Sequence, residues 1–195
     1  MAIIYDADLS PGKAELIGTW LDDQPWGGAG DVLMVGAYRF DDPDGEVGIE
    51  GHVVRRGDRL LHVPLSYRGA PLDEPAACLI GRMRHSVLGE RWVYDATTDP
   101  VAIASLARAL RGEQDTAAWE IYQGDQLVER RDPTVELYRT TGPNGERVGG
   151  VAVALGDGAE LRVARVLTED EPGGQQELRL LWSDGPVVIA GLSAG

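Results

Sequence analysis

The sequence predicts an α+β fold in which antiparallel β-sheets pack around two main helices. Two segments, near residues 11–21 and 100–111, carry apolar residues at the three-to-four-residue spacing of an amphipathic helix. Between and after them, short runs alternate apolar and polar residues, and glycine, asparagine and aspartate mark turns between the runs. Short, regularly spaced strands with two isolated helices are typical of antiparallel sheets.

The N-terminal segment is expected to form a short strand at residues 2–9, followed by the first helix. Ser10 is a hydroxyl N-cap, and Pro11 suits the first helical position because proline has a fixed φ and no N–H. The glycine- and proline-containing loop at residues 22–31 ends this helix. Its apolar face consists of Ala14, Leu16, Ile17, Trp20 and Leu21.

The next segment has the period of two that is typical of strands. Apolar and polar residues alternate over residues 47–53, and Glu50 and His52 fall among the polar positions. The sequence DDPDG at residues 41–45 favours a turn, because proline fixes φ and glycine accepts a positive φ. Three antiparallel strands are therefore predicted between about residues 32 and 66, with a further pair near 78–85 and 90–95.

The second helix has both a start and a stop signal. Asp99 is an N-cap followed by Pro100, and Gly112 marks the end. Five or six short strands are expected after it, so we predict two segments, residues 1–113 and residues 114–195. Their boundary is soft, and a single folded unit remains an alternative. Turns of the second segment are expected at Gly124-Asp125, Asn144-Gly145, Asp157-Gly158 and Asp184-Gly185.

The charge of the chain limits its partners. The formal net charge is −14, from 32 acidic and 18 basic residues. Such a chain repels phosphate backbones and anionic lipid, so we expect no nucleic-acid or membrane partner. The N-terminus lacks the basic and long apolar regions of a signal peptide, and no run of about 18 apolar residues occurs. A cytoplasmic protein is expected.

No motif for catalysis, cofactor binding or metal binding is found in the sequence. The glycine-rich segments complete neither a P-loop nor G-x-G-x-x-G. The three histidines lack paired metal-ligand spacing, and the acidic loop at residues 41–45 fails the first and last ligand positions of an EF-hand. We therefore assign no catalytic residue, no cofactor and no metal, and expect that the chain is not an enzyme.

A set of aromatic and arginine side chains is the best candidate for a binding surface. Trp26 lies in a glycine-rich loop, while Tyr67, Arg68, Trp92 and Tyr94 lie in segments with few turn residues. Trp, Tyr and Arg dominate interface hot spots, and aromatic faces commonly line ligand pockets. The alternative is structural: Trp92 and Tyr94 pack inward on a strand, and Tyr67 and Arg68 close a turn.

Several distinctive segments lie within residues 1–113. They are the Gln24-Pro25-Trp26 corner, YRFDDPDGEVGIE from Tyr38, VPLSYRGAPL from Val63 and HSVLGERWVYDATTDP from His85. These segments resemble the N-terminal cap of actinobacterial maltokinases and related sugar kinases. The resemblance implies a cystatin-like, cap-like first half with a curved antiparallel sheet. It implies an all-antiparallel second half similar to the intermediate subdomain of those kinases.

In that family the cap is non-catalytic and precedes a kinase lobe similar to aminoglycoside phosphotransferases. The sequence ends at Gly195, so we expect no such lobe here. The segment ELRVARVL at residues 160–167 resembles the strand that carries the ATP-contacting lysine, with Arg162 or Arg165 where lysine is required. Arginine is not a conservative replacement for lysine at a phosphate clamp.

Three functions follow as hypotheses. We expect first a non-catalytic regulatory or interaction module that docks on a sugar kinase, a trehalose synthase or a glycogen-pathway enzyme. The alternative is a sugar-binding domain with an aromatic-lined cleft, and a less favoured one is an enzyme acting on α-glucans. A homodimer is a further expectation, because the strand at residues 187–192 lies near a terminus and a sheet edge there must be covered or paired.

Overall fold

The structure is a computed structural model that describes residues 3–5, 8–123, 126–142, 148–182 and 185–195. Within these ranges it confirms the α+β class: three sheets, mostly antiparallel, accompany two α-helices, α1 (Lys13–Asp22) and α2 (Pro100–Arg111). The first strands are β1 (Ile3–Tyr5), β2 (Leu9–Ser10), β3 (Val32–Phe40), β4 (Gly48–Arg56), β5 (Arg59–Arg68), β6 (Leu79–His85) and β7 (Gly89–Asp95). The later strands are β8 (Trp119–Gln123), β9 (Gln126–Arg131), β10 (Glu136–Thr141), β11 (Val151–Ala154), β12 (Glu160–Val163), β13 (Gln176–Trp182) and β14 (Gly185–Ser193).

The largest sheet has six strands in the order β2-β6-β7-β5-β4-β3, and all neighbours are antiparallel. Successive side chains of a strand point to opposite faces. On β5, Leu61, Val63 and Leu65 therefore face α1, and they form one core with its buried residues. Leu60 lies on the other face, in a second core with α2. Because helices cover both faces, polar residues of the central strands are buried as well as apolar ones.

The first helix begins two residues later than predicted. Ser10 belongs to β2 and pairs with Arg84 of β6, so its backbone is extended and it is not the N-cap. Gly12 occupies the N-cap position and contributes no side-chain hydrogen bond. Pairing with the sheet therefore overrides the local Ser-Pro start signal.

The second helix has the predicted ends. The Asp99 carboxylate accepts a hydrogen bond from the Val101 amide, and Pro100 occupies the first helical position. Gly112 ends the helix with a φ of 82°, a left-handed conformation that favours glycine. A 3₁₀ helix at Ala96–Thr98 connects β7 to this N-cap.

The second sheet has five strands in the order β10-β13-β14-β12-β11. The strand at residues 187–192, expected at a sheet edge, lies within β14, which pairs with strands on both sides. That expectation was wrong, because the chain folds back so that β12 and β13 flank the C-terminal strand. The homodimer remains a prediction without this argument.

One hydrophobic core extends across the predicted boundary at residue 113. It combines Tyr38 and Phe40 of β3 and Leu106 of α2 with Leu161 and Ile189 of the five-stranded sheet. The division into residues 1–113 and 114–195 stays a prediction, and the structure shows the contacts that join the two segments.

A third sheet joins the N-terminal strand to the start of the second segment. β1 pairs with β8 in parallel and β8 pairs with β9 antiparallel, so the second segment is antiparallel except where it meets the N-terminal strand. The Asp157-Gly158 turn is confirmed by a hydrogen bond from the Gly158 amide to the Leu155 carbonyl. The predicted turns at residues 124–125 and 144–145, and Asp184 of the last turn, lie outside the described residues. None of the described helices has the length and apolar character to span a membrane.

Candidate functional site

The five predicted surface residues do not form one cluster. Arg68 of β5 and Trp92 of β7 are paired in register, and Tyr94 follows two residues later on the same face of the sheet. Tyr67 points to the opposite face, towards α1. Trp26 lies in the loop after α1, where its ring meets that of Trp20 edge to face at 5.4 Å between centroids.

Arg68 has a structural partner. Its Nε and Nη2 atoms donate to the two carboxylate oxygens of Asp99 at 2.7 and 2.6 Å, and Ser66 Oγ donates to the same carboxylate at 2.6 Å. Asp99 is fully buried. Burial by itself raises the pKa of Asp99, but the hydrogen bonds from Arg68 and Ser66 outweigh it, and the pKa lies below its ordinary value. This group holds the start of α2 against β5.

The two aromatic residues of β7 differ in exposure. Tyr94 is buried, and its hydroxyl accepts a hydrogen bond from the Leu72 amide at 2.8 Å. Trp92 is half-buried and lies between Arg68 and Arg82 in the register of the sheet. The inward-packing alternative thus describes Tyr94, while Trp92 keeps an accessible side.

A buried polar cluster surrounds Tyr67 and centres on Glu50. Lys13 Nζ and Trp119 Nε1 donate to the Glu50 carboxylate at 2.5 and 3.1 Å. His52 Nε2 lies 3.3 Å from Glu50 Oε2 and 3.0 Å from the Tyr67 hydroxyl oxygen. Burial by itself raises the pKa of Glu50. The charge of Lys13 and the hydrogen bonds from His52 and Lys13 together outweigh this effect, so the pKa of Glu50 lies well below its ordinary value. Burial lowers the pKa of His52, which keeps the ring neutral.

A second buried cluster centres on Arg165, which reaches the first segment from the loop after β12. Its Nη2 atom donates to Asp95 Oδ2 at 2.5 Å and to Thr97 Oγ1 at 2.8 Å. Its guanidinium carbon lies 5.8 and 5.3 Å from the ring centroids of Trp20 and Trp26. Cations are attracted to aromatic faces at this distance. Trp26 therefore serves as part of a socket for Arg165.

His62 forms the third buried polar contact. Its Nδ1 donates to the Ala164 carbonyl at 3.1 Å, so Nε2 accepts from the Tyr38 hydroxyl at 2.8 Å. Burial, and then the charge of Arg165, lowers the pKa of His62 to about 3. The ring is therefore neutral in the folded protein at neutral pH.

His62 gives a prediction for the pH dependence of stability. In the unfolded chain a histidine binds a proton near pH 6.5, whereas folded His62 does so only near pH 3. The unfolded state therefore gains protons first as the pH falls, and the free energy of unfolding decreases from pH 6.5 downward by up to about 1.4 kcal/mol per pH unit. Urea titrations between pH 7 and pH 4 measure this slope.

The variant His62→Gln is expected to have a smaller slope over this range. His85→Gln is the matched control, because His85 is only half-buried, and it is expected to change the slope less. Equal slopes in both variants would show that His62 does not carry the effect.

Residues 20–99 match the family model described as the maltokinase N-terminal cap domain. This segment, here called the cap domain, is similar to the N-terminal cap domain of maltokinases. The match confirms the family resemblance but is narrower than the 1–113 range expected, since the start of α1 and all of α2 lie outside it. A search of curated proteins finds no match for the chain.

All five predicted surface residues lie within the cap domain, together with Glu50, Asp95 and Asp99. Several groups that donate to these carboxylates lie outside it: Lys13 and Trp119 donate to Glu50, and Arg165 donates to Asp95. The cap domain thus shares its buried charges with the segment that follows.

Sequence reasoning missed the buried charges because alternation assigned Glu50 and His52 to a polar side of the strand. α1 covers that side, and both residues are buried. Asp99 was found, but only as an N-cap. No local signal in the sequence identifies Arg165, since its partner Asp95 lies 70 residues away.

The arginines compared with a kinase lysine are both engaged. Arg165 is bound to Asp95, and Arg162 donates to the Gly149 carbonyl at 3.0 Å and to Glu160 at 3.4 Å. Among the described residues, no group of three histidine, cysteine or acidic side chains is placed to hold a metal ion. In the acidic turn, the Asp42 carboxylate accepts three backbone amides and so shapes the loop.

Four cavities of the described part of the chain have volumes between about 370 and 620 Å³. None of the five predicted surface residues lines any of them. A sugar cleft would require Trp26, Trp92 or Tyr94 on a shared concave face. The structure packs Trp26 against Trp20 and buries Tyr94, which gives the sugar-binding alternative no support.

Proposed function

We propose that this protein is a non-catalytic interaction module of maltokinase-linked metabolism, which docks on a sugar kinase or an enzyme of trehalose or glycogen synthesis. The observation that carries the proposal is the cap domain at residues 20–99. The name of the family connects this domain to maltokinase, and an N-terminal cap domain works beside a further protein domain. The partner is proposed to be a separate polypeptide of the same pathway.

The state of the buried carboxylates supports a non-catalytic role. A general acid or base must direct a free lone pair or proton at the substrate. Glu50 receives hydrogen bonds from Lys13 and Trp119, and Asp99 receives them from Arg68, Ser66 and the Val101 amide. The hydrogen bonds that these two carboxylates accept therefore stabilise the fold.

Two of the three histidines, His52 and His62, support the same view. His62 is fully buried with a ring nitrogen committed on each side, and His52 is enclosed by Glu50 and Tyr67. A histidine base needs access to substrate and a pKa near the working pH. Burial lowers the pKa of both rings.

Affinity capture tests the docking role. The tagged protein is incubated with lysate of its own host, and bound proteins are identified by mass spectrometry. We expect one sugar kinase or glucan-pathway enzyme at near-stoichiometric amount, absent from an unrelated tagged protein of similar net charge. Recovery of this chain alone would overturn the proposed role.

A direct assay tests the non-catalytic part of the proposal. The purified protein is incubated with maltose and magnesium ATP, and phosphate transfer is followed with labelled ATP. No transfer above the buffer rate is expected. Stoichiometric formation of a sugar phosphate would show that the chain is itself a kinase.

A further inference from the structure

One outer strand of the five-stranded sheet, β11, has backbone groups without a partner strand among the described residues. β11 ends the strand order and pairs only with β12. The Leu155 amide donates to the Ala159 carbonyl, so the inward-bonded residues of this ladder are Val151, Val153 and Leu155. The N–H and C=O groups of the residues between them, Ala152 and Ala154, therefore point away from the sheet. Both alanines are exposed.

The other outer strands with described side chains are covered by another segment, carry charged residues or are very short. β3 is covered, because Thr134 and Ala117 hydrogen-bond to its backbone at Ala37 and Arg39. β9 carries Glu129, Arg130 and Arg131, β10 carries Glu136 and Arg139, and β2 has two residues. Charged side chains and short length are the usual protection of a sheet edge. β11, with the sequence VAVA, has neither a charge nor a described cover.

A groove lies beside this edge, between β11 and α2. Its volume is about 620 Å³, the largest of the four cavities described. The helix contributes Ile103, Ala104 and Ala107, and the strand side contributes Val153 and Leu155. The two alanines of the helix leave room for side chains of another chain. A helix next to a free sheet edge is a geometry that accepts an extended peptide as an added strand.

The rim of the groove is more basic than the protein as a whole. Arg108 and Arg111 lie on the last turn of α2, and Asp157 faces them from the turn after β11. Arg111 donates to Asp157 at 2.6 Å, with the side chains 32% and 56% exposed. Such an exposed pair is weak, and a guanidinium has further N–H donors for a second carboxylate.

We propose that this groove binds an extended segment of a partner protein, which pairs with β11 as a sixth strand. Alternate apolar side chains of the segment pack beneath α2, and a carboxylate of the segment binds Arg111. The inference rests on the proposed docking role, since it names the surface and the kind of segment through which docking occurs.

A second copy of this chain fits the groove less well. Two β11 strands of four residues pair over only about 14 Å, and so short a ribbon contributes little of the roughly 1,200–2,000 Å² of surface that a stable interface buries. β11 has no carboxylate to place at Arg111 of the other copy. Two chains with a net charge of −14 also repel each other.

Two variants block the groove without touching the core. Ala152→Pro removes an outward N–H and leaves the bonds to β12, because proline is tolerated on an outer strand when its nitrogen faces solvent. Ala152→Ser is the matched control that keeps the N–H. Ala104→Trp fills the groove from the helix, and Thr19→Trp places the same ring on the exposed side of α1 as its control. Thermal unfolding checks that all four variants fold.

Selection from a phage-displayed library of random ten-residue peptides on the purified protein tests the proposal. Enriched peptides are expected to alternate apolar residues and to carry an acidic residue. Their affinity should fall at least tenfold for Ala152→Pro and Ala104→Trp and stay unchanged for both controls. In the complex, the amides of Ala152 and Ala154 should exchange hydrogen more slowly.

Several results would overturn the groove assignment. One is the absence of enriched peptides, and another is equal binding of the peptides to wild type and to the blocked variants. A third is a concentration-dependent dimer that Ala152→Pro abolishes, because it would assign the edge of β11 to a second copy of the chain. Capture of a sugar kinase by wild type and Ala152→Pro alike would keep the docking role and reject the groove. Peptide binding at the groove without capture of any pathway enzyme would keep the groove and reject the docking role.

Discussion

Replacement of Arg165 by methionine is expected to lower the free energy of unfolding by about 3 to 5 kcal/mol. Methionine fills much of the space between Trp20 and Trp26 but removes the charge that neutralises Asp95. Both partners are buried, with side chains 4% and 9% exposed, so the remaining carboxylate has little access to solvent that could replace the lost bond. Urea unfolding followed by tryptophan fluorescence measures the change.

Arg82→Met is the matched control. Arg82 forms a 3.5 Å ion pair with Glu90, and both side chains are more than half exposed. Its loss is expected to change stability by no more than about 1 kcal/mol. Addition of Asp95→Asn to Arg165→Met should restore part of the loss, because the stranded charge disappears. Equal effects of Arg165→Met and Arg82→Met would contradict a buried pair.

Arg165→Met also tests whether the cap domain and the rest of the chain unfold together. Arg165 lies outside residues 20–99, while its partners Trp20, Trp26 and Asp95 lie inside. One cooperative transition that shifts as a whole is expected. Two transitions, with only the later segment affected, would show that the segments fold independently.

Replacement of Asp99 by alanine is expected to cost about 3 to 5 kcal/mol as well. It leaves Arg68 and Ser66 without their shared acceptor and removes the cap of α2, which by itself contributes about 1 kcal/mol. Asp99→Asn keeps one acceptor oxygen and is expected to lose less. Urea unfolding at pH 7 compares the two variants.

The contribution of Asp99 depends on pH in a defined direction. Its folded pKa is below the value near 3.9 of an unfolded aspartate. The stability that it contributes is therefore complete above about pH 4 and is lost as the pH falls through the folded pKa. The difference between wild type and Asp99→Asn should shrink below pH 4. A difference independent of pH would show that the carboxylate charge is not responsible.

Local patterns were sufficient for the elements of the cap. Alternation predicted the strands of the six-stranded sheet, and Asp99, Pro100 and Gly112 predicted both ends of α2, because these signals act within a few residues. Ser10-Pro11 shows where this fails. Pairing of Ser10 with Arg84 is a long-range contact, and it displaced the helix start to Lys13.

The candidate binding residues show the same division. Composition selected Trp26 and Arg68 as interface types, but their roles follow from partners that are distant in sequence, Arg165 and Asp99. The groove beside β11 had no sequence signal either. It arises because the chain places an uncharged strand at the end of a sheet and next to the outer side of α2.

The sequence by itself determined the fold class and most elements of the cap domain, since periodicity, caps and turn residues are properties of neighbouring positions. The family was indicated separately, by the resemblance of whole segments within residues 20–99. Only the tertiary structure decided which charges are buried and paired. Lys13 and Trp119 meet at Glu50, and Arg165 meets Asp95, because helices and strands from both segments close over the same sheet. A buried charge is stable only with such a partner, and the partner is supplied by the fold.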